Sequence, residues 1–150
     1  MTVTWLQLTR HLLELTGEVQ YADELERTTY NALLAAQSPL TGEVTYFSPL
    51  NGYKNFNGPD SKMTPAISCC SSSIPRGIAM IPTFVSGFLN GKPALLQYIP
   101  GKHVLNDGSG GDTNVELQVS GDYPQSGDFE IEVLLKQPTE FPLVLRAPSW

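Results

Sequence analysis

The feature that most constrains this chain is a change of hydrophobic period near residue 88. Before it, in "VTWLQLTRHLLELTG", Trp5, Leu8, Leu12 and Leu15 recur at helical spacing, Leu6 and Leu13 widen the stripe, and Gly17 is placed to end the helix. In "YADELERTTYNALLAAQ", Ala22, Leu25, Thr29, Ala32, Leu33 and Ala36 share one face, and Asp23 stands ahead of Arg27 on the other. A Gly17-Glu18 turn joins the two as an αα-hairpin. After Gly87 the pattern becomes alternation, in "PALLQYIPG", "NVELQVSGDYP", "DFEIEVLLKQP" and "FPLVLRAPSW". Phe129, Ile131, Val133 and Leu135 fall on one face of their strand, with Glu130, Glu132 and Leu134 opposite. Neither period can bury its apolar residues in the other's geometry. The expected fold class is therefore α+β, with helices within 3–16, 22–37 and 73–86 and antiparallel strands beyond, divided as 1–88 and 89–150. The amphipathic faces exceed what three helices can bury, so exposed apolar surface and self-association are expected.

Between the hairpin and the third helix, residues 38–68 carry loop signals ("SPLTG", "SPLNGY", "FNGPDSKMTP") around one short alternating run, "EVTYFS". A loop of that length is functional or disordered. It leads into "ISCCSSSIPRGIAMIP", where both cysteines of the chain, Cys69 and Cys70, stand side by side. Ser71 to Ser73 offer N-cap hydroxyls, Pro75 suits a first turn, and Pro82 kinks or closes the helix. A redox pair, a metal site, a nucleophile and an inert buried pair all compete for these cysteines. A helix start with Arg76 one turn in favours thiolate, which is the environment of a ligand or a nucleophile. Two thiolates supply only half of a four-ligand zinc site, and His11 and His103 are isolated in sequence. The "NDGSGGDTN" stretch does not match a calcium loop and reads as solvated.

Composition narrows the function classes. A net charge of −6 without long runs of one sign argues against nucleic acid as a partner. No stretch approaches a membrane span, and the first residues lack the pattern of a signal peptide. Adjacent cysteines cannot build a framework of long-loop disulfides, which leans the reading toward a reducing, cytoplasmic compartment.

Taken in order, "YADELERTTYNALLA", a loop with "YFSPL", "SCCSSSIPRGIAMIP", "GDYP" and a closing "LRAPSW" resemble glycoside hydrolase family 127, the β-L-arabinofuranosidase-like group. The resemblance runs over nearly all of the chain. It implies the last helices of an (α/α)6 toroid followed by the first strands of a β-sandwich, both incomplete. It implies a retaining glycosidase acting on an arabinofuranoside-type carbohydrate. It further implies a zinc ion held by Cys69, Cys70 and a Glu-x-Cys pair, with Cys69 the nucleophile and Tyr46 in the sugar pocket. In the family the Glu-x-Cys pair and the general-acid glutamate lie ahead of the helix that begins here at Met1, so the expectation is a fragment, inactive alone and weak in zinc. Glu14, Glu18, Glu24 and Glu26 read as helix-surface charges. The rival is a non-catalytic carbohydrate-binding or interaction module, in which the strands do the work and the cysteines only pack.

Overall fold

Helix α1 spans Thr2–Thr16 and stops where Gly17 turns left-handed, at φ 67°, its N–H donating to Leu13 O at 2.8 Å. A computed structural model describes residues 1–45, 51–52, 69–106 and 115–150. They form two compact units, Met1–Ile81 and Pro82–Trp150.

In the first unit α1 buries Val3, Leu6, Thr9 and Leu13. This face differs from the expected stripe: Trp5, Leu8 and Leu15 are exposed. A leucine-rich helix carries two apolar faces, and contact with its neighbours selected the one centred on Leu6. Trp5 is held at the rim instead, its indole N–H donating to Glu24 Oε1 at 2.9 Å.

Helix α2 spans Val19–Thr28 and runs on as a π-helical turn, Thr29–Leu33, and a 3-10 turn, Leu34–Ala36. The expected helix over 22–37 is thus one continuous run in three hydrogen-bonding patterns, widened where "TYNAL" passes the third helix. Gln37 and Val44 then form an isolated bridge, closed by Ser38 N to Glu43 O at 2.7 Å. Of the short strand considered in "EVTYFS", Val44 makes that single bridge, and residues 46–48 lie outside the described residues.

Helix α3 spans Cys69–Met80, so residues 69–72, ahead of the expected 73, are helical as well. Pro75 therefore sits inside the helix rather than in its first turn. At Gly77 α3 lies close against its neighbours: a Cβ there would lie 2.6 Å from Leu33 Cδ1 and 3.0 Å from Val3 Cγ2. That contact ties α3 to the π-helical turn and to the start of α1.

The second unit opens with a single turn, α4 (Pro82–Val85), where Pro82 takes the first helical position. Strand β1 (Ser86–Leu89) pairs antiparallel with β2 (Lys92–Leu95) through Asn90-Gly91, both at positive φ, which is the chemistry of a tight two-residue hairpin. β2 also pairs with β6 (Val144–Leu145), and this pair is parallel. A second sheet, ordered β3-β4-β5, is antiparallel: β3 Gly101–Leu105, β4 Val115–Gly121 and β5 Phe129–Leu134. In β4 the alternation is realised, with Val115, Leu117 and Val119 buried and Glu116 and Gln118 half-buried. β5, at the sheet edge, leaves Phe129, Val133 and Leu134 exposed and buries Ile131 only partly. Residues 107–114, most of the "NDGSGGDTN" stretch, lie outside the described residues.

Candidate functional site

The two cysteines occupy the first two positions of α3, and both are free thiols. Cys69 is exposed and Cys70 half-buried. Consecutive helical residues point about 100° apart around the axis, so one sulfur faces solvent while the other leans toward the unit. Ser72 Oγ donates to Cys69 O at 3.1 Å, securing a carbonyl of the first turn.

The electrostatics differ from those expected of a thiolate site. Burial pushes the Cys70 thiol up, and the hydrogen bond and charge of Cys69 beside it push in the same direction. Arg76 does not offset this through a bond to sulfur: its guanidinium donates to Ser73 Oγ at 3.2 Å. The group that draws Cys70 downward is the N-terminal amine.

Tyr46 lies outside the described residues. The histidines stand apart from the cysteines in their bonding: His11 Nδ1 is 3.1 Å from Glu14 Oε2, and His103 Nε2 is 2.9 Å from Ile99 O. Among the described residues no group of three or more His, Cys, Asp or Glu is arranged to hold a metal ion.

Two carboxylates depart from the sequence expectation. Glu26, read as a surface charge, is 4% exposed, and Asp23, read as Arg27's partner on the polar face, is 6% exposed. Arg27 Nη1 instead meets Glu24 Oε2 at 3.2 Å, and Glu24 Oε1 also accepts from Thr28 Oγ1 at 3.1 Å. The signal was present in the spacing: Asp23 and Glu26 are three apart and flank Ala22 and Leu25, both buried. Both acids are partnered. Acids kept from solvent on the inner face of α2 are a feature of the first unit that its apolar pattern alone hides.

In the second unit, the distant motifs "GDYP" and "LRAPSW" meet. Tyr123 stacks on Trp150 with ring centroids 6.0 Å apart, Tyr98 on Phe129 at 4.1 Å, and Tyr98 meets Tyr123 edge-on at 5.6 Å. Arg146, 4% exposed, lies 5.9 Å over the Tyr98 ring and donates from Nε to Leu96 O at 2.5 Å. Tyr98 Oη in turn donates to Arg146 O. Arg146 is thus a structural clasp between β2 and β6.

Among the described residues no helix is long and apolar enough to cross a membrane. No curated protein and no solved structure matches the chain significantly. A family model described as "Beta-L-arabinofuranosidase, GH127 catalytic domain" matches residues 1–83, a stretch that takes in α1, α2, the π-helical turn and both cysteines. The chain belongs to the β-L-arabinofuranosidase-like glycoside hydrolase family 127, whose catalytic-domain pattern its residues 1–83 carry.

Proposed function

We propose that this chain carries the cysteine half of the catalytic centre of a retaining glycosidase acting on arabinofuranoside-type sugars. α1, α2 and α3 are then the closing helices of an (α/α)6 toroid, and the strands begin a β-sandwich. The observation that carries the reading is the pair of free thiols opening α3 inside the family-matched stretch.

Cys69 is the nucleophile in this reading because its thiol is the exposed one. Its sulfur attacks the anomeric carbon while the glycosidic oxygen departs with a proton from a general acid. Water then attacks the same carbon, releasing the sulfur, so configuration is retained after two displacements. Cys70, half-buried beside it, is the metal ligand in this reading. Tyr46 is proposed to line the sugar pocket.

Two neighbouring thiols fit two positions of a tetrahedral zinc site, and the described residues add no third donor to them. Zinc bound there would keep the thiols deprotonated. In this reading the other donors are a Glu-x-Cys pair ahead of α1. We expect weak zinc binding and no turnover from these 150 residues alone.

The test compares zinc content and arabinofuranoside hydrolysis in a protein extended N-terminally through a Glu-x-Cys segment and its preceding toroid, with and without Cys69→Ser. The extended parent should bind zinc and turn over. The variant should lose at least about a thousandfold in kcat/KM, and a variant that works at the parent rate removes Cys69 from the mechanism.

A further inference from the structure

Cys69 and Cys70 are free thiols on consecutive residues of α3, one exposed and the other half-buried. Such a dithiol suits a ligand atom that wants two sulfurs and no more. Zinc wants further donors, which the described residues do not group around the pair. A vicinal disulfide would draw the two sulfurs to about 2.05 Å across a single peptide bond, which the first turn of α3 does not accommodate without distortion. An atom inserted between them relieves that demand, because the ring gains a member and the sulfurs can stand farther apart.

We propose that Cys69 and Cys70 form a capture site for monosubstituted trivalent arsenicals. Arsenic(III) bearing one carbon substituent has two exchangeable positions, matching the two thiols. In the step, R–As=O reacts with both S–H groups: the arsenic–oxygen bonds are replaced by two arsenic–sulfur bonds, and the oxygen leaves as water with both thiol protons. Arsenic stays trivalent and sulfur is not oxidised, so no further reactant is needed. Cys69, exposed, makes the first bond. Cys70, the next residue along the helix and only half-buried, closes the ring. Ser72 Oγ, bonded to Cys69 O, keeps the turn between them in place.

The inference goes beyond the glycosidase reading and does not rest on it: its readout is mass, so either can fail while the other stands. The 150-residue chain, reduced and freed of metal, is treated with phenylarsine oxide and weighed intact. We expect one arsenical per chain, added with loss of one water. The adduct should resist a monothiol at concentrations on the order of a hundredfold above those that strip Cys69→Ser or Cys70→Ser, and a dithiol should release it. The chain has only these two cysteines, so each single variant retains a lone thiol as the reference. No adduct, an adduct stripped as readily as from the single variants, or one arsenic joining two chains would overturn the proposal. An unchanged circular dichroism spectrum in both variants keeps misfolding from imitating those results.

Discussion

The two units bury polar groups in different ways. In Met1–Ile81 the buried polar and charged residues include Thr9, Asp23, Glu26, Thr28 and Thr29, all on α1, α2 or the π-helical turn. Among the described residues of Pro82–Trp150 they are Gln97 and Arg146, and Arg146 is tied to backbone carbonyls at the strand it clasps. The strand unit puts its buried charge to a structural use that its hydrogen bonds account for. The helical unit keeps acids away from solvent and leaves two hydroxyls, Thr9 Oγ1 and Thr29 Oγ1, buried without a partner among the described residues. A core built only for stability would not carry these costs together. The family match falls on the helical unit, where they occur.

The sharpest way to break that contrast is Arg146→Ala. Removing the side chain leaves Leu96 O without its donor and Tyr98 without its cation, so the full chain should lose about 3 kcal/mol, on the scale of losing one member of a buried charged contact. Denaturant unfolding followed by fluorescence in a Trp5→Phe background, which leaves Trp150 as the reporter, reads it. Loss below 1 kcal/mol, roughly the value of one ordinary hydrogen bond, would show that the clasp is not what holds β6 to β2.

Gly77→Val probes the helical unit. The new Cβ would come within 2.6 Å of Leu33 Cδ1, in a place already filled, and a branched side chain adds bulk beyond it. We expect about 2 kcal/mol of destabilisation from overpacking. Cys69 and Cys70 should then react faster with a thiol reagent, because α3 is pushed off its seat. Unchanged stability would mean that α3 does not dock through Gly77.

Thr29→Val should have the opposite sign. It replaces an orphaned hydroxyl with a methyl of similar shape, so stability should stay level or rise by up to about 1 kcal/mol. A clear loss would reveal a bond that the hydroxyl makes in solution. By contrast, Glu26→Ala, which removes a partnered acid, should destabilise by about 1–3 kcal/mol.

The smallest expected effect is in pH. A raised thiol pKa means that Cys70 remains S–H to higher pH than an ordinary cysteine, so its alkylation rate should climb later on the alkaline side. Cys69→Ser removes one of the causes and should move the rise part of the way back. Mass-spectrometric site assignment across a pH series measures both, and an alkylation midpoint below the ordinary thiol range would reverse the direction of the shift.

The α+β class and the change of period were legible because they depend on nearest neighbours along the chain. Gly17 ends α1, Asn90-Gly91 turns a hairpin, and β4 alternates, each for reasons contained within a few residues. The start of α3 was less legible. With Pro75 and the serines as guides the helix is expected from 73, yet residues 69–72 are helical as well and Pro75 lies inside the helix. The site was half legible: the adjacency of Cys69 and Cys70 is a fact of sequence, but the upward push on Cys70 comes from burial and from Cys69, and Arg76 turns to Ser73.

Sequence by itself determined which segments are helix and strand and put the thiols side by side, since backbone propensity and residue order are local properties. Tertiary structure decided which of two apolar faces α1 buries, that Asp23 and Glu26 turn inward, and that Tyr123 meets Trp150 across 27 positions of chain. The physical reason is common to all three: periodicity specifies that a face exists, whereas which face loses its water depends on the shape and charge of what packs against it.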